Sequence, residues 1–243
     1  MRKVTSFLRF SAGFGVIVIV SLLVFGFALL LLPFRVTRIK LCNLYGKIVG
    51  RSITFIVGVK PLIHDRARID GSMPAIYVSN HTSTLDMFLS VWLCPYGGCG
   101  VFKKEIVRVP FFGWIAWLSG HLLIDRNNHE KALESLRSTA EYVKKNRLGI
   151  WIFPEGTRSR DGSLLPFKKG FVHMAIATGF PVVPVVVHGA NRNWVAGTFQ
   201  FNPMTLDVDV LPPIDTTGWT EANAGAHADE VRQVFETVLK QRA

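Results

Sequence analysis

Short apolar runs and longer amphipathic stretches alternate along the chain from residue 66 onward. The short runs predict strands at Arg66–Asp70, Ala75–Ser79, Leu122–Asp125, Gly149–Phe153, Val182–His188 and Leu206–Leu211. The longer stretches predict helices at Leu85–Leu93, His129–Lys145, Lys169–Ala177 and Ala226–Gln241. This alternation predicts an α/β domain whose central, mostly parallel sheet is flanked by helices.

The N-terminal part of the chain has a different pattern. Gly13 to Leu32 is an uncharged apolar run, and Pro33 ends it. Such a run is long enough to cross a hydrocarbon core of about 30 Å. It is also longer than the apolar core of a cleaved signal peptide, and no small-x-small cleavage site follows it. The run therefore predicts an uncleaved membrane anchor, which either spans the bilayer or dips into one leaflet.

Two further apolar stretches each allow two interpretations. Asn43 to Lys60 mixes apolar and basic residues, so it is either a helix lying on the membrane or an ordinary packed helix. Pro110 to Ile124 is rich in Phe and Trp but too short to span a bilayer. It either contacts lipid or packs in the core.

Composition favours a membrane setting over a nucleic-acid partner. The chain has 28 Lys and Arg against 17 Asp and Glu, a net charge of +11, and 49% of its residues are hydrophobic. A basic surface suits nucleic acid, anionic membranes or phosphorylated substrates. No nucleic-acid-binding module is recognisable, so nucleic acid is not expected as a partner. Basic residues after the anchor predict that the domain that follows it faces the cytoplasm.

The three cysteines fit no zinc-binding pattern. Cys42, Cys94 and Cys99 form no C-x-x-C pair. Cys94 and Cys99 are close enough in sequence to pair or to bind a metal. Free thiols in a reducing compartment are the favoured interpretation.

The first candidate for chemistry is a histidine followed by an aspartate five residues later. His81 lies between the predicted strand Ala75–Ser79 and the predicted helix Leu85–Leu93, and Asp86 lies in the first turn of that helix. A neutral imidazole accepts a proton near pH 7, and a carboxylate on its other nitrogen fixes the tautomer. The alternatives are an ordinary loop histidine and an aspartate that only caps the helix.

The second candidate follows the predicted strand Gly149–Phe153. There Pro154-Glu155-Gly156-Thr157-Arg158 combines a turn-forming glycine with an arginine fork that suits phosphate oxygens. It is not a P-loop, because Gly-Lys-Ser/Thr is missing. Alternatively, the segment is a plain turn in which Arg158 pairs with Glu155 or Asp161.

Together the two candidates resemble the motifs of the glycerophospholipid acyltransferase family. Asn80-His81-Thr82-Ser83-Thr84-Leu85-Asp86 and Phe153-Pro154-Glu155-Gly156-Thr157-Arg158-Ser159 are similar to two of its motifs. Gly120-His121-Leu122-Leu123-Ile124-Asp125-Arg126 and Val182 to Gly189 resemble two more. The resemblance covers about Ile69 to Ile214. It is strongest to the bacterial members that acylate 1-acyl-sn-glycerol-3-phosphate.

The resemblance implies roles for the matching positions. His81 would be the general base and Asp86 its orienting partner. The implied acceptor site comprises Glu155, Gly156, Thr157, Arg158, Arg126, Lys103, Lys104 and Lys168, with Arg158 on the phosphate. Residues 1–60 would form the membrane anchor with a juxtamembrane helix, and residues 61–243 the acyltransferase domain.

The implied reaction moves a fatty acyl group from acyl-CoA or acyl carrier protein to the sn-2 hydroxyl of lysophosphatidic acid, giving phosphatidic acid. The expected partners are that lysolipid, the acyl carrier and membrane lipids, at the inner (cytoplasmic) membrane. No metal and no other cofactor is expected. The alternatives are acylation of lyso-ornithine lipid or lysophosphatidylglycerol, and a non-catalytic membrane adaptor. The expected oxyanion donors are backbone N–H groups around Gly156.

Overall fold

The computed structural model describes residues 2–110, 112–124 and 129–242. Side chains are described throughout these ranges except at residues 2, 3, 103, 104, 112, 115, 122, 124 and 129–135. The chain forms helices α1 (Arg2–Leu30), α2 (Arg35–Ile56), α3 (Ala67–Gly71), α4 (Leu85–Leu93), α5 (Phe112–Leu118), α6 (His129–Lys145), α7 (Gly170–Thr178), α8 (Ala190–Asn193) and α9 (Ala224–Gln241). Short 3₁₀ helices lie at Lys104–Arg108 and Glu221–Asn223.

A single seven-stranded sheet forms the centre of the domain. Its strands are β1 (Val59–His64), β2 (Ile76–Ser79), β3 (Gly98–Lys103), β4 (Leu122–Ile124), β5 (Gly149–Ile152), β6 (Val182–Val187) and β7 (Met204–Val210). Their order is β1-β7-β6-β2-β5-β3-β4, and every pairing is parallel except β6 with β7. The predicted α/β class with a largely parallel central sheet is confirmed.

Both faces of the sheet are covered, and strand β2 shows why its sequence is apolar throughout. Tyr77 contributes to the core that α1, α2 and α4 cover, whereas Ile76 and Val78 contribute to the core beneath α6, α7 and α9. Successive side chains of a strand point to opposite faces. A strand in the middle of a parallel sheet is therefore apolar on both faces, as this one is.

One predicted strand is wrong, and two real strands were not predicted. Arg66–Asp70 is helical in α3, where the Asp65 carbonyl accepts from the Arg68 N–H at 2.9 Å. Its alternation of charged and apolar residues resembles a strand, but only Ile69 is buried. Strand β1 contains Pro61, which is tolerated because β1 lies at the sheet edge. Strand β3 contains glycines at 98 and 100, which lower its β-propensity.

The two ambiguous apolar stretches each have a buried side and an exposed apolar side. Helix α2 buries Tyr45 and Val49 against the body of the protein, while its Leu44 and Phe55 are about half exposed. The stretch from Pro110 has two environments. Ala116 and Leu118 are buried in α5, while Trp114 and Trp117 are about half exposed or more.

Helix α1 is the candidate membrane anchor. Residues Val4–Leu30 form the one helix in the described part of the chain that is long and apolar enough to cross a bilayer. The helix contacts α2 and α5 along one side. Its other side exposes large apolar residues, including Phe7, Ile19 and Leu23, each more than 60% exposed. This apolar helix indicates association with a membrane.

Candidate active site

The parallel sheet brings the two candidate motifs together. His81 follows β2 and Pro154 follows β5, and these strands are parallel neighbours with Tyr77 in register with Trp151. Loops after parallel neighbours leave the sheet at the same edge, where α/β proteins place their ligands. The 70-odd residues between the motifs therefore do not separate them in space. The backbone contact is direct, since the Ser159 N–H donates to the His81 carbonyl at 2.9 Å.

His81 and Asp86 are in contact. The imidazole Nδ1 lies 3.3 Å from Asp86 Oδ2, the His81 side chain is 11% exposed, and that of Asp86 is fully buried. The imidazole ring also stacks on the Phe153 ring, with 4.2 Å between centroids. The Nδ1 nitrogen therefore faces the carboxylate, which leaves Nε2 as the nitrogen for other partners.

Asp86 also caps the helix, so both interpretations of this residue hold at once. Its Oδ2 accepts hydrogen bonds from the backbone N–H groups of Thr82 at 2.6 Å and Ser83 at 2.7 Å. These contacts fix the carboxylate at the N-terminus of α4, where negative charge is favoured. The oxygen that caps the helix is the same oxygen that faces His81. The helix end thereby sets the position of the carboxylate relative to the imidazole.

Asn80 holds the histidine loop to the sheet. Its Nδ2 donates to the Val187 carbonyl at 2.9 Å, and its Oδ1 accepts from the Val187 N–H at 2.8 Å. The side chain thus mimics a strand pairing with the end of β6. Its place beside His81 in the motif was the only sequence signal for this role, and no role was predicted for it.

Glu155 binds the backbone on both sides of the site. Its Oε1 accepts from the His81 N–H at 2.6 Å, and its Oε2 accepts from the Leu165 N–H at 3.0 Å. Burial raises the pKa of Glu155 to about 7, although the two backbone N–H groups act to lower it. Both carboxylate oxygens are engaged by the protein. The geometry therefore indicates a residue that positions His81, whereas the motif resemblance implied contact with the acceptor.

A side chain at position 156 would be unfavourable for two reasons. Its φ is +71°, a conformation that glycine adopts without strain. A Cβ at this position would lie 3.0 Å from Lys168 Nζ, so the lysine side chain passes directly over the turn. The Gly156 N–H donates to the Phe153 carbonyl at 3.1 Å, which closes the turn. That N–H is thus already engaged within the turn.

Arg158 is exposed at the mouth of the site. Its guanidinium donates to the Thr84 hydroxyl, which joins the loop after β5 to the loop after β2. Arg158 forms no ion pair with Glu155 or Asp161 among the described residues. The Arg158 guanidinium is therefore available at the surface beside His81 for an anionic ligand.

Two of the remaining predicted binding residues, Lys103 and Lys104, lie at the same edge of the sheet by topology. Lys103 is the last residue of β3 and Lys104 the first of the following 3₁₀ helix, but their side chains are outside the described part. Arg126 lies outside the described residues altogether. The structure therefore brings together His81, Asp86, Glu155, Gly156, Thr157, Arg158 and Lys168.

A cavity of about 260 Å³ extends from His81 into the protein. Its mouth is formed by His81, Phe153, Gly156, Thr157 and Arg158. Its interior walls come from α2, α4, β3 and β5 and are mostly apolar: Cys42, Met87, Val91, Cys94, Phe102, Ile106 and Trp151. The three cysteines are buried and form no disulfide among the described residues. Burial raises the pKa of Cys42 to about 12, so this cavity thiol is not a nucleophile at neutral pH.

A buried histidine–aspartate pair at the mouth of an apolar cavity, with an arginine beside it, suits acyl transfer to a polar acceptor. Residues 60–188 match the family model described as acyltransferase, so the chain belongs to that family and is an acyltransferase. The named relatives make the similarity more specific. A 1-acyl-sn-glycerol-3-phosphate acyltransferase from Limnanthes douglasii is 40% identical over 224 residues, which are 90% of this chain and 78% of the relative.

Bacterial relatives and a solved structure agree with this. The 1-acyl-sn-glycerol-3-phosphate acyltransferase of Escherichia coli is 36% identical over 219 residues, covering 90% of this chain and 88% of that one. The crystal structure of the 1-acyl-sn-glycerophosphate acyltransferase of Thermotoga maritima superposes with a TM-score of 0.78. It is 25% identical and covers 98% of both chains. The resemblance drawn from the sequence motifs is confirmed.

Glu155 should couple pH to stability. Because burial raises its pKa from an ordinary 4.5 to about 7, the folded protein holds a proton that the unfolded chain releases between these values. We expect the melting temperature to fall as pH rises through that window. The Glu155→Gln variant, which does not titrate, should lack this component. It should also lose one backbone contact, which costs about 1–3 kcal/mol.

Melting curves at several pH values in detergent would measure both effects. The matched control is Glu141→Gln, which removes an exposed carboxylate from α6. That change should alter the melting temperature little, because exposed charges contribute little. An unchanged pH dependence in Glu155→Gln would show that another group carries it.

Proposed function

We propose that this enzyme transfers a fatty acyl group from acyl-CoA or acyl carrier protein to the sn-2 hydroxyl of 1-acyl-sn-glycerol-3-phosphate, forming phosphatidic acid. The observation that carries the proposal is the position of His81 between the apolar cavity and the exposed Arg158. The cavity suits an acyl chain and the guanidinium suits a phosphate monoester. The names of the relatives support the same substrate.

In the proposed mechanism His81 is the general base. Its Nε2 takes the proton of the sn-2 hydroxyl as the oxygen attacks the thioester carbonyl. Asp86, held by the two backbone N–H groups, stabilises the imidazolium that forms. Collapse of the tetrahedral intermediate expels the thiolate of the carrier, which receives the proton from His81. The acyl group passes directly to the acceptor, and no further cofactor takes part in these steps.

The turn after β5 contains the N–H groups that we propose as oxyanion donors. The Gly156 N–H is used within the turn. In the described part of the chain, the N–H groups of Thr157 and Arg158 donate to no backbone carbonyl outside regular helices and strands, and both residues line the mouth of the cavity. We propose that these two N–H groups donate to the oxyanion and stabilise its developing negative charge. Donors already in place there need no rearrangement during the reaction.

Arg158 is the proposed phosphate ligand, with Lys168 beside it over Gly156. Lys103 and Lys104 are further candidates because they stand at the C-terminal end of β3, at the same edge of the sheet. Arg126 is a candidate from the motif resemblance alone. A planar fork binds a phosphate with two parallel hydrogen bonds, which a lysine cannot reproduce. This assignment distinguishes lysophosphatidic acid from a lysolipid without a terminal phosphate monoester.

Substitution of Arg158 should therefore act on the acceptor. We expect Arg158→Ala to raise the KM for lysophosphatidic acid by about tenfold or more, on the scale of a charge-assisted hydrogen bond. The KM for the acyl thioester should change much less, and Arg158→Lys should recover only part of the loss. Steady-state kinetics with each substrate varied in turn would measure this.

The matched control is Arg160→Ala, which removes an exposed arginine from the same loop that does not line the cavity. It should leave both KM values close to those of the wild type. An equal rise in both KM values in Arg158→Ala, together with a lower melting temperature, would contradict phosphate binding. It would instead indicate that the contact with Thr84 holds the two loops together.

The substrate assignment itself is tested with purified enzyme, several lysolipids and both carriers. Phosphatidic acid should form fastest from lysophosphatidic acid, with an acyl-CoA or an acyl carrier protein as donor. Faster acylation of lyso-ornithine lipid or lysophosphatidylglycerol would replace the acceptor in the proposal. No acylation of any lysolipid by the folded protein would overturn the function.

For the membrane, we propose that residues 1–60 attach the enzyme to the cytoplasmic membrane and that the domain of residues 61–243 faces the cytoplasm. The exposed apolar side of α1 supports this. We expect Ile19→Lys with Leu23→Lys to move protein from the membrane to the soluble fraction, because each buried charge opposes insertion. Leu62→Lys, on the edge strand β1, is the control and should not.

Point substitutions are preferable to deletion of α1. The helix contacts α2 and α5, and Ser21 hydrogen-bonds Tyr45 at 3.0 Å, so deletion would uncover the core. Fractionation and immunoblotting would give the distribution of each variant. A double variant that stays wholly in the membrane fraction would shift the attachment to another surface, such as Trp114 and Trp117 in α5.

A further inference from the structure

Two polar atoms in the cavity wall lack hydrogen-bond partners. Trp151 is 5% exposed, and its indole Nε1 is buried without an acceptor among the described residues. The Nδ1 atom of His121 is likewise buried without a partner in the described part of the chain. Both residues line the cavity that begins at His81. Buried polar groups in proteins are almost always paired, so each unpaired one calls for an explanation.

A third polar side chain in the cavity wall differs from these two, because both of its polar atoms have partners. Asn43 also lines the cavity, but its Nδ2 donates to the Gly98 carbonyl at 2.9 Å. Its Oδ1 accepts from the Gly97 N–H at 2.8 Å. The protein thus satisfies Asn43 internally, whereas the Trp151 N–H has no acceptor among the described residues.

The unpaired groups lie in one row across the sheet. Trp151 on β5 is in register with Gly100 on β3, and Val101 is in register with Leu122 on β4, which places His121 beside Gly100. Residues in register on parallel neighbours point to the same face. Gly100 has no side chain, and the Phe102 ring lies over it, since a Cβ there would come within 2.9 Å of that ring. We call this level of the cavity wall, with Trp151 and His121 to either side of Gly100, the notch.

The notch lies below the catalytic histidine. Phe153, which stacks on His81, comes two residues after Trp151 in the sequence. At about 3.3 Å per residue of strand, the notch is roughly 7 Å deeper along the sheet. An acyl chain whose thioester is at His81 and whose tail enters the cavity passes this level within its first several carbons.

The ionisation of His121 fits a neutral partner. Burial, together with the nearby Arg35, lowers the pKa of His121 to about 4. The imidazole is therefore neutral at physiological pH and carries one N–H and one lone pair. A hydroxyl group, which both donates and accepts, is the complementary small group. A charged substituent would not be matched.

We propose that the cavity selects acyl donors that carry a hydroxyl group several carbons from the thioester, with the Trp151 N–H donating to the hydroxyl oxygen and His121 as the second polar wall. The inference rests on the proposed function, because it assigns the cavity to the acyl chain. It goes further in naming the chemical class of that chain. The apolar remainder of the wall still requires a long hydrocarbon.

The test compares acyl-CoA donors of one length, either unsubstituted or with the hydroxyl moved one carbon at a time. For one or two positions we expect wild-type kcat/KM to exceed that of the plain chain by about two- to tenfold, the range of one neutral hydrogen bond. Trp151→Phe keeps an aromatic ring against Tyr77 but has no N–H, so it should bring the ratio close to one. His121→Leu should reduce it.

The matched control is Trp194→Phe, which removes an indole N–H that donates to the Thr198 carbonyl outside this cavity. That variant should keep the wild-type ratio. A wild-type enzyme that prefers no hydroxylated position would overturn the inference. So would a hydroxyl preference that survives in both Trp151→Phe and His121→Leu.

Binding of unreactive thioether analogues of the same donors, measured by calorimetry, separates this inference from the proposed function. Their affinity ratio does not depend on any acceptor. If the enzyme does not acylate lysophosphatidic acid but binds the hydroxylated analogue more tightly than the plain one, the proposed acceptor is overturned and the selection stands. Acylation of lysophosphatidic acid with a ratio of one in both assays would overturn the selection and leave the function intact.

Discussion

Replacement of His81 by alanine is expected to lower kcat by about 10²–10⁴-fold, the usual contribution of a general base. The physical reason is the buried contact between His81 Nδ1 and Asp86 Oδ2 at 3.3 Å, which leaves Nε2 to accept the hydroxyl proton. Binding of the acyl thioester should change little, because the cavity walls below His81 are apolar. Single-turnover kinetics with phosphatidic acid quantified by mass spectrometry would measure the loss.

The chain offers a closely matched control in His227. Its ring stacks on Trp219 with 4.6 Å between centroids, and its Nδ1 lies 2.9 Å from Glu230. It thus shares the aromatic stacking and the carboxylate partner of His81 but lies on α9, away from the cavity. His227→Ala should retain wild-type turnover. Near wild-type turnover in a folded His81→Ala protein would remove His81 from the mechanism.

The second large effect is expected for Asp86→Asn. The Asn oxygen is expected to keep the place of Oδ2, because two backbone N–H groups donate there. The neutral amide cannot, however, stabilise the imidazolium that forms on His81. We expect kcat to fall by about 10²–10⁴-fold. The melting temperature should also fall, because Oδ2 accepts from the Thr82 and Ser83 N–H groups. Loss of a helix cap costs about 1 kcal/mol.

The two roles of Asp86 can be separated by temperature. At a temperature well below the melting point of the variant, a capping role alone predicts nearly normal kcat, whereas orientation of His81 predicts the full loss. Asp215→Asn is the control, because Asp215 accepts from the Thr217 N–H at 3.0 Å in an exposed turn and has no histidine partner among the described residues. It should change neither quantity much. Normal turnover by folded Asp86→Asn would leave Asp86 as a cap alone.

Local sequence was sufficient for the elements that carry the chemistry. The predicted bounds of α4 at Leu85–Leu93 are those observed, and β2, β5 and β6 lie where the apolar runs predicted them. These elements have strong local signals, since buried parallel strands read as continuous apolar runs and turn residues mark their ends. The order of the motifs along the chain also sufficed to indicate the family.

The role of Glu155 was not accessible from its motif. In the sequence it stands beside Gly156 and Arg158, and the resemblance implied that it contacts the acceptor. In the structure its two oxygens bind the N–H groups of His81 and Leu165, which are 74 and 10 residues away. Such contacts depend on β2 and β5 being neighbours, which no local pattern encodes.

The pattern of apolar and polar residues predicted a histidine and an aspartate between a strand and a helix, an arginine after a second strand, and an apolar helix before them. How these groups are arranged in space depends on the packing of the whole domain. The strand order brings His81, Glu155 and Arg158 to one edge, and α2, α4, β3 and β5 enclose the cavity beneath. The reason is physical: periodicity reports which face of an element is buried, but the partner that buries it is chosen by long-range packing.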